Sequence, residues 1–367
     1  MIIRVLCCGI ALHLGWVAAA CGQGPLQTIR TLAGNGQTGP AVMSGAALQT
    51  PLSNPFGVMP EADGSLIVAS FDQHVLYRLD PTYSRLQRIA GTGRAGMSGT
   101  ADADPLEVDL HEPHEIQVDG RGDIYVADTK NHRVGKIDAR SGRWSVVAGT
   151  GRVGFSGDAG PAAEATMNQA YSIAIDGREL FIADLGNHRI RRVDLDKGTI
   201  DTLCGTGEKR APVDGQPAAE QPLQGPRSLA VDRENLWIVL REGNSVWRID
   251  RRAGTIHHVA GSGAKGFSGD GGDAKLAKLN GPKGIAVDPG VAVYIADTEN
   301  HAIRRVDLKD GTIHTQVGSP TGQAGFNGDG GELTQRLLRR PHGVCLLPSG
   351  ELLIGDSENH RLRVVGP

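Results

Sequence analysis

With 367 residues, 39% of them hydrophobic, the chain can bury a large core as one big domain or as two or three smaller ones. Its 52 glycines, 19 prolines and only 4% aromatic residues point to many short elements joined by tight turns, which favours β-architecture. A formal net charge of -3 gives no general pull on phosphate backbones, so nucleic acid is not an expected partner.

The chain starts with a charged stretch to Arg4, an apolar run from Val5 to Ala20 and a small-residue end, the pattern of a secretion signal over residues 1–21. A membrane-spanning helix needs about 20 apolar residues, and no comparable run occurs later. Ala18-Ala-Ala-Cys21-Gly22 is similar to a bacterial lipobox, with Ala18 where leucine is usual. Cys21 is therefore a lipidation candidate, with simple cleavage near it as the alternative. An extracytoplasmic bacterial protein is expected, touching a membrane only through such an anchor. Cys204 and Cys345 are the only cysteines in the body of the chain, and both read as small buried strand residues, not as a disulfide framework.

The next element, Thr28-Ile-Arg-Thr-Leu-Ala-Gly34, acquires its meaning from the rest of the chain. Runs of the same type recur near 85, 143, 199, 255 and 312. Each of those closes a unit of four short Val- and Ile-rich runs bounded by Gly, Pro, Asp and Asn, which is how strands and their turns are written. The clearest unit reads Pro282-Lys-Gly-Ile-Ala-Val-Asp288, Val293-Tyr-Ile-Ala-Asp297, Ala302-Ile-Arg-Arg-Val-Asp307 and Gly311-Thr-Ile-His-Thr-Gln-Val-Gly318; the four strands are called a, b, c and d. Between b and c one phrase returns as Asp128-Thr-Lys-Asn-His132, Asp184-Leu-Gly-Asn-His188, Asp297-Thr-Glu-Asn-His301 and Asp356-Ser-Glu-Asn-His360. Degenerate copies at Ser70 to His74 and Leu240 to Asn244 bring the number to six. Successive starts lie 58, 56, 56, 57 and 59 residues apart, so one ancestral unit has been repeated.

A four-stranded unit repeated six times predicts an all-β, six-bladed β-propeller. The blades fall at about 54–91, 112–150, 169–205, 225–261, 281–318 and 340–365 within a domain spanning 27–365. The last blade ends at Arg361-Leu-Arg-Val-Val365 without a d strand, so residues 27–34 are expected to supply it and close the ring. The Asp-x-x-Asn-His phrase and the strand registers resemble the NHL repeat family over essentially all of residues 27–365, with Arg, Ala or Val in place of the leucine.

Repetition separates structure from function: a residue present in every blade serves the blade, whereas a site is needed once. On this reasoning the Asp and the Asn-His pair are structural, Asp accepting backbone N–H bonds, Asn tolerating φ > 0 and His bonding across the hairpin. The d-to-a loops Gly154-Phe-Ser-Gly-Asp158, Gly266-Phe-Ser-Gly-Asp-Gly-Gly272 and Gly325-Phe-Asn-Gly-Asp-Gly-Gly331 also repeat, and similar loops occur in the teneurin NHL domain. One carboxylate per loop is too few for calcium, so each Asp is expected to cap a short helical turn and Phe155, Phe267 and Phe326 to tuck between blades. Arg191-Arg192, Arg304-Arg305, Arg361 and Arg363 on strand c are expected to be solvated and salt-bridged.

What varies is the residue after the start of strand a: Phe56, His114, Tyr171, Arg227, Lys283 and His342, a set expected to ring the mouth of the central channel. The peptidyl-amidoglycolate lyase resembles NHL proteins and has a Pro-His pair at this place supplying zinc-binding histidines. Pro113-His114 and Pro341-His342 match that pair, while Arg227 stands where a third histidine would complete a triad. Two imidazoles beside an arginine make a weak zinc site. The alternatives are an anion- or carboxylate-binding funnel on Arg227 and Lys283, and a plain lining of the mouth. Two functions fit these residues. The favoured one is an exported binding scaffold for a protein, peptide or glycan, with no cofactor and no turnover. The other is a metal-assisted lyase or hydrolase at the mouth, with zinc or calcium, using His114, His342, Tyr171 and Arg227, Tyr171 or a histidine being the base.

Overall fold

The computed structural model describes residues 27–99 and 101–366; the leader-like segment and Cys21 lie outside them. Six antiparallel sheets form the blades of a propeller, and strands a, b, c and d run in chain order from the axis outward except in the last, whose outer strand comes from the start of the chain. In the fifth blade these are Gly284–Asp288, Ala292–Asp297, Ala302–Asp307 and Ile313–Val317. Strand b of this blade is buried along its whole length, because neighbouring blades cover both faces. One core cluster accordingly joins Trp237, Val239 and Val246 of the fourth blade to Ile285, Val293, Ile295, Val306 and Ile313 of the fifth.

Closure occurs as the missing d strand demands. Thr28–Ala33 pairs antiparallel with Arg361–Gly366, in the register Thr28 to Gly366 and Ile29 to Val365. All six c–d pairs, this one included, shift register by a bulge near the end of strand d. The glycine after that strand has positive φ, as at Gly91, Gly149 and Gly318. A Cβ there would run into the carbonyl oxygen of the residue that ends the b–c turn, which explains the glycine in every d-strand run.

The d-to-a connections cover the outer edges. Ser44–Ala46 pairs with Arg85–Ala90, Gly160–Pro161 with Thr199–Cys204, and Asp273 bridges to Thr312. In the last blade the Gly330 N–H donates to the Ile29 carbonyl at 2.7 Å. Each connection thus occupies backbone groups that would otherwise template aggregation.

The repeated turn is structural, but its parts are distributed differently from the sequence expectation. Asp128 accepts from the His111 N–H at 2.8 Å and from the Asn131 amide at 2.8 Å, and Asn131 also donates to the Gly96 carbonyl at 2.7 Å. It is the histidine, not the asparagine, that takes the left-handed conformation, φ being 50° at His132 and 57° at His301. Nor does the histidine bond across its own hairpin. Nδ1 of His132 accepts the Gln169 N–H at 2.9 Å, and His74, His301 and His360 accept from Glu112, Arg340 and Asn54, so these four imidazoles clamp the next blade, whereas Nδ1 of His188 has no partner among the described residues. In the fourth blade Asn244 takes over both duties, with φ 44° and its Oδ1 accepting the Gly281 N–H at 2.9 Å.

The strand-c arginines divide: Arg192 and Arg305 are partly solvated and salt-bridged as expected, whereas three others are salt-bridged but not solvated. Arg191, Arg304 and Arg363 are 0% exposed, because strand c is covered outside by strand d and by the loop. Arg304 lies 3.5 Å from Asp297 and 2.6 Å from Asp270, and Arg191 and Arg363 bridge Asp184 to Asp158 and Asp356 to Asp329 in the same way. The loop aspartates therefore hold an arginine and a d-strand threonine (Thr202, Thr315 or Thr31) instead of capping a helical turn. Phe155 and Phe326 are 42% and 39% exposed; they stack on Arg189 and Arg361 at 3.8 Å and are not tucked between blades. Blade four replaces the pair by Leu240 and Trp247, and blade one by Ser70 and Tyr77, at the same ladder positions.

Candidate functional site

Phe56, His114, Tyr171 and Arg227 are the second residues of their a strands, and Lys283 and His342 lie just before theirs, all at the end of the channel that also carries the b–c turns, since Pro113 pairs with Asp128 and Val118 with Ile124. There they meet in one layer. Phe56 stacks on His342 with centroids 3.9 Å apart, on Phe71 at 4.1 Å and edge-on against His114 at 4.7 Å. His114 meets Tyr171 at 3.7 Å, and the Arg227 guanidinium lies 3.4 Å from the Tyr171 centroid and donates to its hydroxyl. Lys283 donates to Glu299 at 2.9 Å, and Arg340 spans Glu299 and Glu358 at 2.7 and 2.8 Å. One half of the mouth is aromatic and the other cationic. Phe71 and Arg340, which take part in it, come from the b–c turn and the d-to-a loop and were not legible from the strand-a positions.

His342 is oriented by its Nδ1–H, which donates to the Arg340 carbonyl at 3.0 Å. His114 is 3% exposed, and neither ring nitrogen has a partner among the described residues. Burial first, then Arg227 and Lys283, hold both imidazoles well below the usual histidine range, so they are neutral. The carboxylates near Arg227 pair with other cations, Glu299 with Lys283 and Arg340, and Glu242 with Arg241 through Oε1 while its Oε2 has no partner among the described residues.

Zinc does not fit this arrangement. The two imidazole centroids are 6.3 Å apart with Phe56 packed against both, and two cations stand nearby. Among the described residues no group of three His, Cys, Asp or Glu side chains could hold a metal.

Behind the layer the inner strands enclose a chamber of about 310 Å³. Its walls run from Val58, Glu115 and Val344 to Pro60, Val231 and Pro348 at the a–b turns. Glu115 escaped the comparison of strand-a positions, although the same logic of variation applied one residue further on finds it: the equivalent positions hold Gly57, Ser172, Ser228, Gly284 and Gly343. Tight packing restricts that position, since a Cβ on Gly343 or Gly284 would strike the carbonyl of Phe56 or His342, and Ser172 Oγ accepts the Leu229 N–H at 3.0 Å. Cys345 lines the chamber half-exposed, whereas Cys204 is buried as expected. Burial raises the Glu115 carboxyl to about 8 and the Cys345 thiol to about 12.

Comparison with known proteins bears on the repeat and the fold. A family profile described as NHL repeat matches residues 110–137 and 338–365, and one described as teneurin NHL domain matches residues 263–325. NHL repeat-containing protein 2 of Gallus gallus is 27% identical over 283 residues, covering 70% of this chain and 38% of that protein. Teneurin-1 of Mus musculus is 26% identical over 376 residues, 92% of this chain and 13% of its own length. The chain thus spans a minor part of either relative. Among solved structures, an auxiliary nutrient binding protein from Bacteroides ovatus superposes with a TM-score of 0.68 at 14% identity, covering 94% of this chain and 77% of the other, a likeness of fold.

Proposed function

We propose, for a chain that belongs to the NHL-repeat β-propeller family, that it is an exported binding protein whose channel mouth receives a carboxylate of a protein, peptide or glycan partner. The observation that carries this reading is Arg227. It is a half-buried guanidinium that forms no ion pair among the described residues, while Glu242 and Glu299 nearby each pair with another cation, and it is set beside an imidazole with two unpartnered nitrogens. An arginine without its counter-ion is costly in such a place, and a planar carboxylate offers it two charge-assisted hydrogen bonds. Tyr171, His114 and Phe56 would supply one flat wall, and Lys283 a second cation. Export rests on the leader-like residues before Gly22, and mass spectrometry of the mature N-terminus tests it together with lipidation of Cys21.

The lyase or hydrolase alternative draws no support from a ligand set, and the Tyr171 hydroxyl is engaged by Arg227. Binding is tested with a library of short peptides carrying either a free C-terminal carboxylate or an amide. Free carboxylates should bind, and Arg227→Met should weaken them about tenfold or more, the scale of one charged hydrogen bond. Equal binding of the amides, or an unaffected Arg227→Met protein, would overturn the assignment.

A further inference from the structure

The chamber behind the mouth differs from it in every chemical respect. Of the residues that line it, Glu115 alone is charged; the remainder are mainly aliphatic, with Gln117, Ser228 and Cys345 as the polar exceptions. At roughly 30 Å³ per water the space would take about ten waters, or a ligand with a similar number of heavy atoms. Among the described residues no cation compensates the carboxylate: the influences on it are burial and the Ile116 backbone, whereas Arg227 and Lys283 act on the imidazoles of the mouth. The layer of Phe56, His114, Tyr171 and His342 stands between the two regions. On the far side the walls end at Pro60 and the exposed Pro348, which places the entrance on the rim of the a–b turns.

Five blades put Gly or Ser at the Glu115 position, where inner strands approach closely, and only the second puts a carboxylate there. Glu115 forms no ion pair among the described residues and faces a space lined mainly by aliphatic residues. We propose that the chamber is a binding site for a small organic monocation, an alkylammonium whose head pairs with Glu115 and whose chain lies along Val58, Ile285 and Leu346. A carboxylate with one opposite charge to meet and apolar walls around it favours such a ligand over an inorganic ion, which would keep its water and gain nothing from the walls. Pairing also recovers the energy that burial takes from the ionised carboxylate, so binding should expel a proton when the carboxyl is protonated beforehand.

Titration calorimetry on the folded propeller tests this with n-butylammonium chloride and its neutral counterpart 1-butanol. Butylammonium should bind at least tenfold more tightly than butanol, release a fraction of a proton, and gain affinity as the pH rises through about 8. Glu115→Gln should lose the preference for the cation, and Glu115→Asp should keep part of it, which separates loss of charge from loss of fold. Arg227→Met should leave butylammonium binding unchanged, so that failure of the mouth and failure of the chamber read out separately. Equal binding of butanol, undiminished binding by the Gln variant, or no binding of butylammonium by the wild-type protein would each overturn the proposal.

Discussion

The seams between blades and the channel they surround are built from the same strands by opposite rules. At the seams one set of contacts recurs: in four blades the turn histidine accepts the N–H of the next blade, in three a Thr or Ser hydroxyl bonds the carbonyl that begins its strand a, and Arg191, Arg304 and Arg363 tie strand c to the incoming loop. At the channel mouth no two adjacent blades agree, and polar atoms are left without partners, as at both His114 nitrogens and Arg227 Nε. Repeated contacts hold the ring, whereas singular ones are available to a ligand. Substitutions at the seams should therefore cost stability, and those in the channel should spare it.

The closing strand should show the largest effect. Ile29 and Leu32 are buried on Thr28–Ala33, and losing them costs roughly 3–6 kcal/mol at about 1.5–3 kcal/mol per side chain. Deleting residues 27–34 should lower the melting temperature strongly and expose the edge of Arg361–Gly366 to aggregation. An unchanged melting curve would refute closure as a source of stability.

Next comes the buried pair. Arg304→Met leaves the fully buried Asp297 without its cation and should cost about 3–5 kcal/mol by denaturant melts. The double variant Asp297→Leu, Arg304→Trp copies the fourth blade's Leu240 and Trp247 and should recover most of that loss. Failure to recover would show that the fourth-blade solution depends on its own surroundings, where Trp247 stacks on His258.

Smaller effects distinguish the regions by pH. Burial lowers the folded-state pKa of His74, His132, His188, His301 and His360, so the unfolded chain binds protons first. The stability these residues contribute is complete above the ordinary histidine pKa of about 6.5 and is lost as the pH falls below it. His132→Asn, which copies Asn244 of the fourth blade, should keep its seam and lose less melting temperature between neutral and mildly acidic pH than the wild type. Glu115 runs the other way. Its folded pKa of about 8 lies above its ordinary value, so it favours the folded state at low pH and loses that effect as the pH rises through 8. Glu115→Gln should match the wild type near pH 5 and melt a few degrees higher near pH 9, the gap opening between those limits. The smallest change is expected for Arg227→Met, which removes a cation with no ion pair and should leave the melting temperature the same or slightly higher.

Blade number, four-stranded units, closure by residues 27–34 and the gathering of Phe56, His114, Tyr171, Arg227, Lys283 and His342 were all legible in the chain, because repetition at fixed spacing is information carried along one dimension. A missing d strand at one end and a spare one at the other leave a single way to finish the ring. Only the tertiary structure decided which member of the Asn-His pair takes the left-handed turn, that Arg191, Arg304 and Arg363 of strand c are sealed from water, and that Glu115 stands without a counter-charge in the chamber. Strand alternation states which face a side chain occupies, but what covers that face, and which atom from another blade comes within 3 Å of it, depends on how separate sheets meet around the axis.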